Sequence, residues 1–186
     1  MNRLAMIIVS VLFFSGLLII IPRLFGFYLL PSVAYAESAR PYAMVVAALG
    51  GLASFYLFAF TAELNRGRAR LGKPPASIFK RLALAFGVSI LVFASGFIFV
   101  MGTIPFTIAL FRGAEVSHVY TVERVPSFGS RHCREKVELT RMPLFFDEVC
   151  GVPQTTRARL KPGDTVSLVG RGTALGLFVD RIRIER

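Results

Sequence analysis

Six basic residues, Arg66, Arg68, Arg70, Lys73, Lys80 and Arg81, lie between two apolar runs, 41–62 and 82–111, neither of which contains a charged residue. Each run is long enough to cross the hydrocarbon core of a bilayer as a helix, which takes about 20 residues. Basic residues in a short loop between spans stay on the cytoplasmic side. The pattern therefore predicts a membrane protein whose 63–81 loop is cytoplasmic and whose topology is set by those six side chains. The loop's own breakers are Gly72, Pro74 and Pro75.

A third apolar run, 4–21, lies near the N-terminus and ends at Pro22-Arg23. Its length is close to that of a span, so three transmembrane helices are expected: 4–21, 41–62 and 82–111. The apolar stretch Leu24–Leu30 reads as a helical extension lying at the interface, where Tyr28 suits the headgroup boundary. Residues 31–40 form a polar connection, and Pro41 is placed in the first turn of the second span, where proline is tolerated. Pro105 predicts a kink, a tilt or an emerging last turn in the third. With the basic loop inside, Arg3 is also inside and everything after about residue 113 is extracytoplasmic. Val33-Ala34-Tyr35-Ala36 resembles an A-x-A signal-peptidase site. The long apolar stretch before it and the Pro22-Arg23 break argue against cleavage. The expected location is the plasma membrane, the inner membrane in a Gram-negative cell.

Composition supports this division. Of the 186 residues 54% are hydrophobic, with a mean hydropathy of +0.62, against about 45–50% apolar in an average soluble domain. The formal net charge is +11. No nucleic-acid fold motif accompanies that charge, so the expected partner is membrane lipid and not nucleic acid.

Beyond residue 113 the period changes from helical to alternating. Val116, His118, Tyr120 and Val122 share one face, and Val137 with Leu139, Thr156 with Ala158 and Leu160, and Val166 with Leu168 repeat the pattern. A two-residue repeat is the strand signature. Lys161-Pro162-Gly163-Asp164 is a turn. In the last segment Leu175, Leu177 and Val179 are odd-numbered but Ile182 and Ile184 are even, which requires a bulge or bend near Asp180-Arg181. The fold expected for 1–111 and 113–186 is thus a membrane α-helical region followed by a small all-β extracytoplasmic domain, a sandwich or a barrel of OB or SH3-like size.

Cys133 and Cys150 are the two cysteines, and both fall in the part placed outside. An oxidising compartment makes them a disulfide. Closing that loop stabilises a thin-cored domain by about 3 kcal/mol.

Sites of chemistry are harder to find. His132, Cys133, Asp147 and Cys150 lack the close cysteine pairs of a structural zinc site, so no metal is assigned. His118 sits on an apolar face as a core or boundary histidine. The chain contains no G-x-S-x-G elbow, phosphate-binding loop or dinucleotide-binding glycine pattern. No catalytic residue and no cofactor are assigned. The three runs also lack the intramembrane ionisable groups that proton and ion pathways use. Small residues do recur: Ala43, Ala47 and Gly51 form a stripe on the second span, and Ala83 with Gly87 a shorter one on the third. These read as helix packing within the chain. The row Arg157, Arg159, Lys161, extended by Arg181 and Arg183, is a candidate interaction face for an acidic partner or headgroups.

The expected function is accessory: a membrane anchor presents a disulfide-bonded β domain that binds another membrane or extracytoplasmic protein. Complex subunits, immunity or exclusion proteins and envelope assembly factors fit this description. The alternatives are a membrane-bound enzyme using the tail's Cys and His, and a homo-oligomeric channel.

Overall fold

A computed structural model of the chain describes residues 3–19, 29–60, 69–72, 74–127, 133, 135–143 and 145–185. In chain order the elements are α1 (Arg3–Leu18), β1 (Leu29–Pro31), α2 (Val33–Phe60), α3 (Ile78–Ile98), a π turn (Phe99–Thr103), α4 (Ile104–Arg112), β2 (Ala114–Arg124), β3 (Val137–Leu139), β4 (Glu148–Val149), α5 (Gln154–Arg157), β5 (Thr165–Thr173) and β6 (Gly176–Ile184). They divide into two compact units. One comprises Met1–Leu17 with Pro41–Val100, and the other Leu18–Arg40 with Met101–Arg186.

Two helices are long and apolar enough to cross a membrane, Val33–Phe60 with 28 residues and the continuous Ile78–Arg112 with 35. The expectation of three such helices is corrected. α1 has 16 residues, about 24 Å at 1.5 Å per residue, against a core of about 30 Å. The second helix also begins earlier than expected, at Val33, because Ser32 caps it: the Ser32 Oγ accepts from the Tyr35 amide at 3.3 Å. Pro41 is therefore inside the helix and not in its first turn. The Val33–Ala36 motif forms that helix's opening turn.

Which face each helix buries distinguishes a lipid-facing helix from the core helix of a soluble domain. Along α2 the small residues Ala43, Ala47 and Ser54 are fully buried, while Tyr42, Val45, Leu49, Leu52, Tyr56 and Phe60 are exposed. Only 39% of the most apolar window of this helix is buried, and 33% of that of Ile78–Arg112. Small residues inward with large apolar residues outward is favourable where the surroundings are hydrocarbon. Ser89 Oγ donates to the Gly51 carbonyl at 2.7 Å, and Arg81 Nη2 donates to the Ala59 carbonyl at 2.6 Å. The latter bond ties the start of α3 to the far end of α2 as described. The π turn ends at Thr103, two residues before Pro105, whose ring cannot follow a regular helical carbonyl ladder.

The second unit is built on a six-stranded antiparallel sheet, order β1-β6-β5-β2-β3-β4, that curls like a nearly closed barrel. Its core takes side chains from every strand: Leu30, Leu177, Leu168, Val166, Tyr120, Val122, Val137, Leu139 and Val149. Two bulges drive the curl. In β2 the register moves from Val122↔Leu139 to Arg124↔Glu138, leaving Glu123 extra. In β6 it moves from Val169↔Arg181 to Gly170↔Val179, leaving Asp180 extra. The second bulge lies where the parity of the apolar residues changes. Opposite it, a Cβ on Gly170 would overlap the Phe178 carbonyl oxygen, so this position accepts only glycine.

Two further expectations are corrected. Leu29 and Leu30 are not an interfacial helix extension: with Pro31 they form β1, paired with Phe178, Leu177 and Gly176. Residues 20–28 lie outside the described residues. The 156–160 segment is not a strand: Gln154–Arg157 is a helical turn continuing into Ala158, with the Ala158 amide bonded to Gln154 O. Three alternating residues are too few to separate the two periods, and here only Leu160 enters the core.

Candidate protein-interaction groove

β6 has nine residues, but β1 pairs only with Gly176–Phe178. Past Phe178 the outer edge of β6 pairs with no strand among the described residues. A groove of about 370 Å³ runs along that edge, between Val149–Pro153 with Thr156 on one wall and Val179–Arg183 on the other. A second hollow of about 340 Å³ adjoins it, sharing Thr156 and Ile182 and adding Arg159 and Ile184. The half-buried Val179 and Ile182 supply apolar surface, the flanking Val149 and Val152 being buried in the core, and Arg159, Arg181 and Arg183 outnumber Asp180. Six residues of strand, 179–184, span about 20 Å at 3.3 Å per residue.

The expected basic row is split by the helical turn. Arg157 Nη2 donates to the Pro126 carbonyl, away from the groove. Lys161 is in the turn, where its backbone amide donates to Asp164 Oδ2 at 2.7 Å. Arg159 remains on the groove, joined there by Arg183 and by Arg181, which also pairs with Glu115 at 2.7 Å. The groove could not be read from spacing, because it depends on where β1 stops pairing.

Cys133 and Cys150 are joined as a disulfide, Cα atoms 5.2 Å apart, and Cys150 is part of the groove wall. The bond thus ties down one side of the groove. The carboxylate of Glu148 lies within 4.8 Å of both sulfurs, but the sulfurs are committed to each other. His118 Nε2 is 2.8 Å from the Thr173 carbonyl oxygen, at the sheet boundary. His132 lies outside the described residues.

Strands β2, β3 and β4 also carry an ionic cluster. Glu138, 8% exposed, receives Arg124 at 2.6 Å on Oε2 and Lys136 at 2.8 Å on Oε1, while Lys136 also reaches Glu148 at 2.8 Å. The Lys136 hydrogen bond, with help from Arg124, holds the Glu138 carboxyl below the usual carboxylate range despite its burial. Lys136 is correspondingly raised by its bonds to Glu138 and Glu148.

Of the topology residues, Arg70 lies in a helical turn and Lys80 and Arg81 in the first turns of α3, while Arg66, Arg68 and Lys73 lie outside the described residues. Ala43 and Ala47 face inward, and a Cβ on Gly96 would lie 3.1 Å from the Ala47 Cα. Gly51 is buried with Ser89 and Phe93 around it. On α3 the packed residues are Ala85, Val92, Ser95 and Gly96. The stripe expected at Ala83 and Gly87 is exposed, and nothing approaches within 4 Å of a Cβ placed on Gly87. No protein-family model, curated protein or solved structure matches this chain.

Proposed function

We propose that the protein is a non-catalytic, multi-pass membrane protein whose barrel-like domain captures an acidic, extended segment of a second envelope protein along the free edge of β6. The observation that carries this reading is the unpaired 179–184 edge opening onto an apolar groove edged by arginines. An added strand satisfies the edge amides and carbonyls, alternate side chains reach Val179 and Ile182, and carboxylates meet Arg159 and Arg183.

In this reading the 63–81 loop is cytoplasmic and the sheet is on the outer face of the plasma membrane. The sheet's connectivity supports an even number of crossings between its strands. β1 precedes α2 and β2 follows α4, yet both belong to one sheet. Two crossings, by α2 and by the Ile78–Arg112 helix, return the chain to the side it left.

A photo-crosslinking amino acid at Ile182 in living cells tests the capture. The expected adduct maps to an acid-rich extended segment of another protein and falls at least several-fold when Arg159→Glu and Arg183→Glu are combined. An adduct indifferent to those reversals, or one confined to lipid or to a second copy of this chain, sinks the proposal.

A further inference from the structure

The free edge of β6 has a hydrogen-bonding pattern that specifies more than an acidic, extended partner. Along an antiparallel ladder, residues that exchange both backbone bonds alternate with residues whose backbone groups point the other way. The Glu185 amide donates to the Thr165 carbonyl at 3.1 Å, and the register runs on as Val166↔Ile184, Ser167↔Arg183 and Leu168↔Ile182. Glu185, Arg183 and Arg181 therefore direct their amides and carbonyls to β5. Ile182 and Ile184 direct theirs outward, to the free edge. On the other side of the bulge, the Ser32 amide donates to the Leu175 carbonyl at 2.8 Å, and Leu30 is abreast of Leu177. By the same alternation Val179 points outward just past the end of β1.

The bulge limits what can pair there. Its extra residue, Asp180, puts Val179 three positions before Ile182, whereas a regular strand repeats every two. A segment in register with Ile182 and Ile184 must bulge or end before it reaches Val179. Side chains divide by the same period. Ile182 and Ile184 are half-buried, and Arg181 and Arg183 are exposed on the alternate face of the strand. Arg181 pairs with Glu115, while Arg183 has no ion pair among the described residues. The hollow lined by Val179 and Ile182 suits an apolar side chain. The one lined by Ile184 with Thr155, Thr156 and Arg159 suits a carboxylate.

We propose that the captured segment adds antiparallel to β6 as a triplet that reads acidic–acidic–apolar from its N-terminal end. The first carboxylate is abreast of Ile184 and meets Arg159, the second is abreast of Arg183, and the apolar side chain is abreast of Ile182. Abreast residues of neighbouring strands share a face, so the outer two enter the hollows and the central one meets Arg183. In this direction each outer residue exchanges two backbone bonds with β6, and the central N–H points away. This rests on the capture reading above, and the test separates the two.

The probe is a terminally blocked, fluorescein-labelled peptide, Ser-Thr-Glu-Asp-Leu-Thr-Ser, titrated by anisotropy with the full chain in mild detergent. Binding is expected to weaken at least several-fold when the Leu nitrogen is methylated, and to be unchanged when the central Asp nitrogen is. Lys in place of the central Asp should also weaken binding several-fold, and the Arg183→Glu protein should recover it. Arg183 is exposed, so this exchange leaves the core alone, and retention of the Cys133–Cys150 disulfide on a non-reducing gel checks the fold. A penalty that moves to the central N-methyl means a parallel strand, which overturns the triplet and leaves the capture standing. Equal binding of the reversed order, Leu-Asp-Glu in the same flanks, does likewise. Failure of every acidic peptide to bind at millimolar concentration overturns both.

Discussion

The hydroxyl of Tyr120, on β2, donates to the backbone carbonyl of Pro31, the last residue of β1, at 3.0 Å inside the barrel-like core. Tyr120 is 1% exposed. β1 has only three residues and pairs along one edge, so this bond supplies a second hold on a strand that three ladder pairs secure weakly. It also joins the segment before α2 to the strand that follows α4.

Tyr120→Phe keeps the ring and deletes the donor, leaving a buried carbonyl unsatisfied. The expected loss is about 1–3 kcal/mol, read as a lower denaturation midpoint of the sheet unit in mild detergent. Burial also pushes the Tyr120 phenol well above its usual range. A group whose folded pKa is raised contributes stability that is full below its unfolded pKa, about 10, and is lost as pH rises through the folded value. Tyr120 should therefore resist ionisation in an alkaline absorbance titration until the domain unfolds, and its ionisation in the native state contradicts the burial.

Glu138 predicts the opposite pH dependence. Its carboxyl is depressed chiefly by the Lys136 hydrogen bond and also by Arg124, so its contribution is present above the ordinary carboxylate range and disappears as pH falls through the folded value. Glu138→Gln should lower the urea midpoint at neutral pH, and the gap to the wild type should close as pH falls below the ordinary carboxylate range. A gap that stays constant with pH would show that the charge on Glu138 is not what matters. Arg124 is largely exposed, so most of the effect should come through Lys136.

What could be read from the chain depended on whether the signal was local. The Asp180 bulge was legible because Leu177, Val179, Ile182 and Ile184 cannot all face one side of a regular strand. β1 was not: Leu29 and Leu30 follow an apolar run, and their partners Phe178 and Leu177 lie at the other end of the chain. The Thr156–Leu160 alternation was too short to exclude a helical turn after Pro153. The Arg157–Lys161 row failed with it, because residues two apart share a face on a strand but not on a helix. Arg159 and Arg183 are brought to one groove only by the tertiary fold.

The two glycines of α3 should respond differently to the same change. A Cβ on Gly96 would lie 3.1 Å from the Ala47 Cα, tighter than ordinary van der Waals contact, whereas a Cβ on Gly87 would face open space. Gly96→Leu should separate α2 from α3 at a cost of about 1–3 kcal/mol, seen as a lower midpoint in a detergent-denaturant titration. Gly87→Leu should be neutral, or stabilise by up to about 1 kcal/mol through helix propensity. Equal losses at both sites would mean that the Ala47–Gly96 contact does not hold these helices together.

The basic loop and the cysteines make one joint prediction about compartment. If Arg66, Arg68, Arg70, Lys73, Lys80 and Arg81 hold their loop inside, a compartment-sensitive reporter fused after Arg186 is active only outside the cytoplasm, and one inserted at Lys73 only inside. The same topology puts Cys133 and Cys150 where disulfides persist. In intact cells neither cysteine should then be alkylated without reductant, and both should be alkylated after it. Reduction removes the cross-link over a sequence separation of 17 and should lower the stability of the sheet unit by about 3 kcal/mol. It should also loosen the groove wall at Cys150, so crosslinking from Ile182 should decline before the sheet unfolds. The two measurements are independent. An active reporter at Arg186 with cysteines that alkylate freely would leave the topology intact and break its link to the disulfide. An inactive reporter there would reverse the orientation of the whole chain, and with it the identity of the partner that the β6 edge can meet.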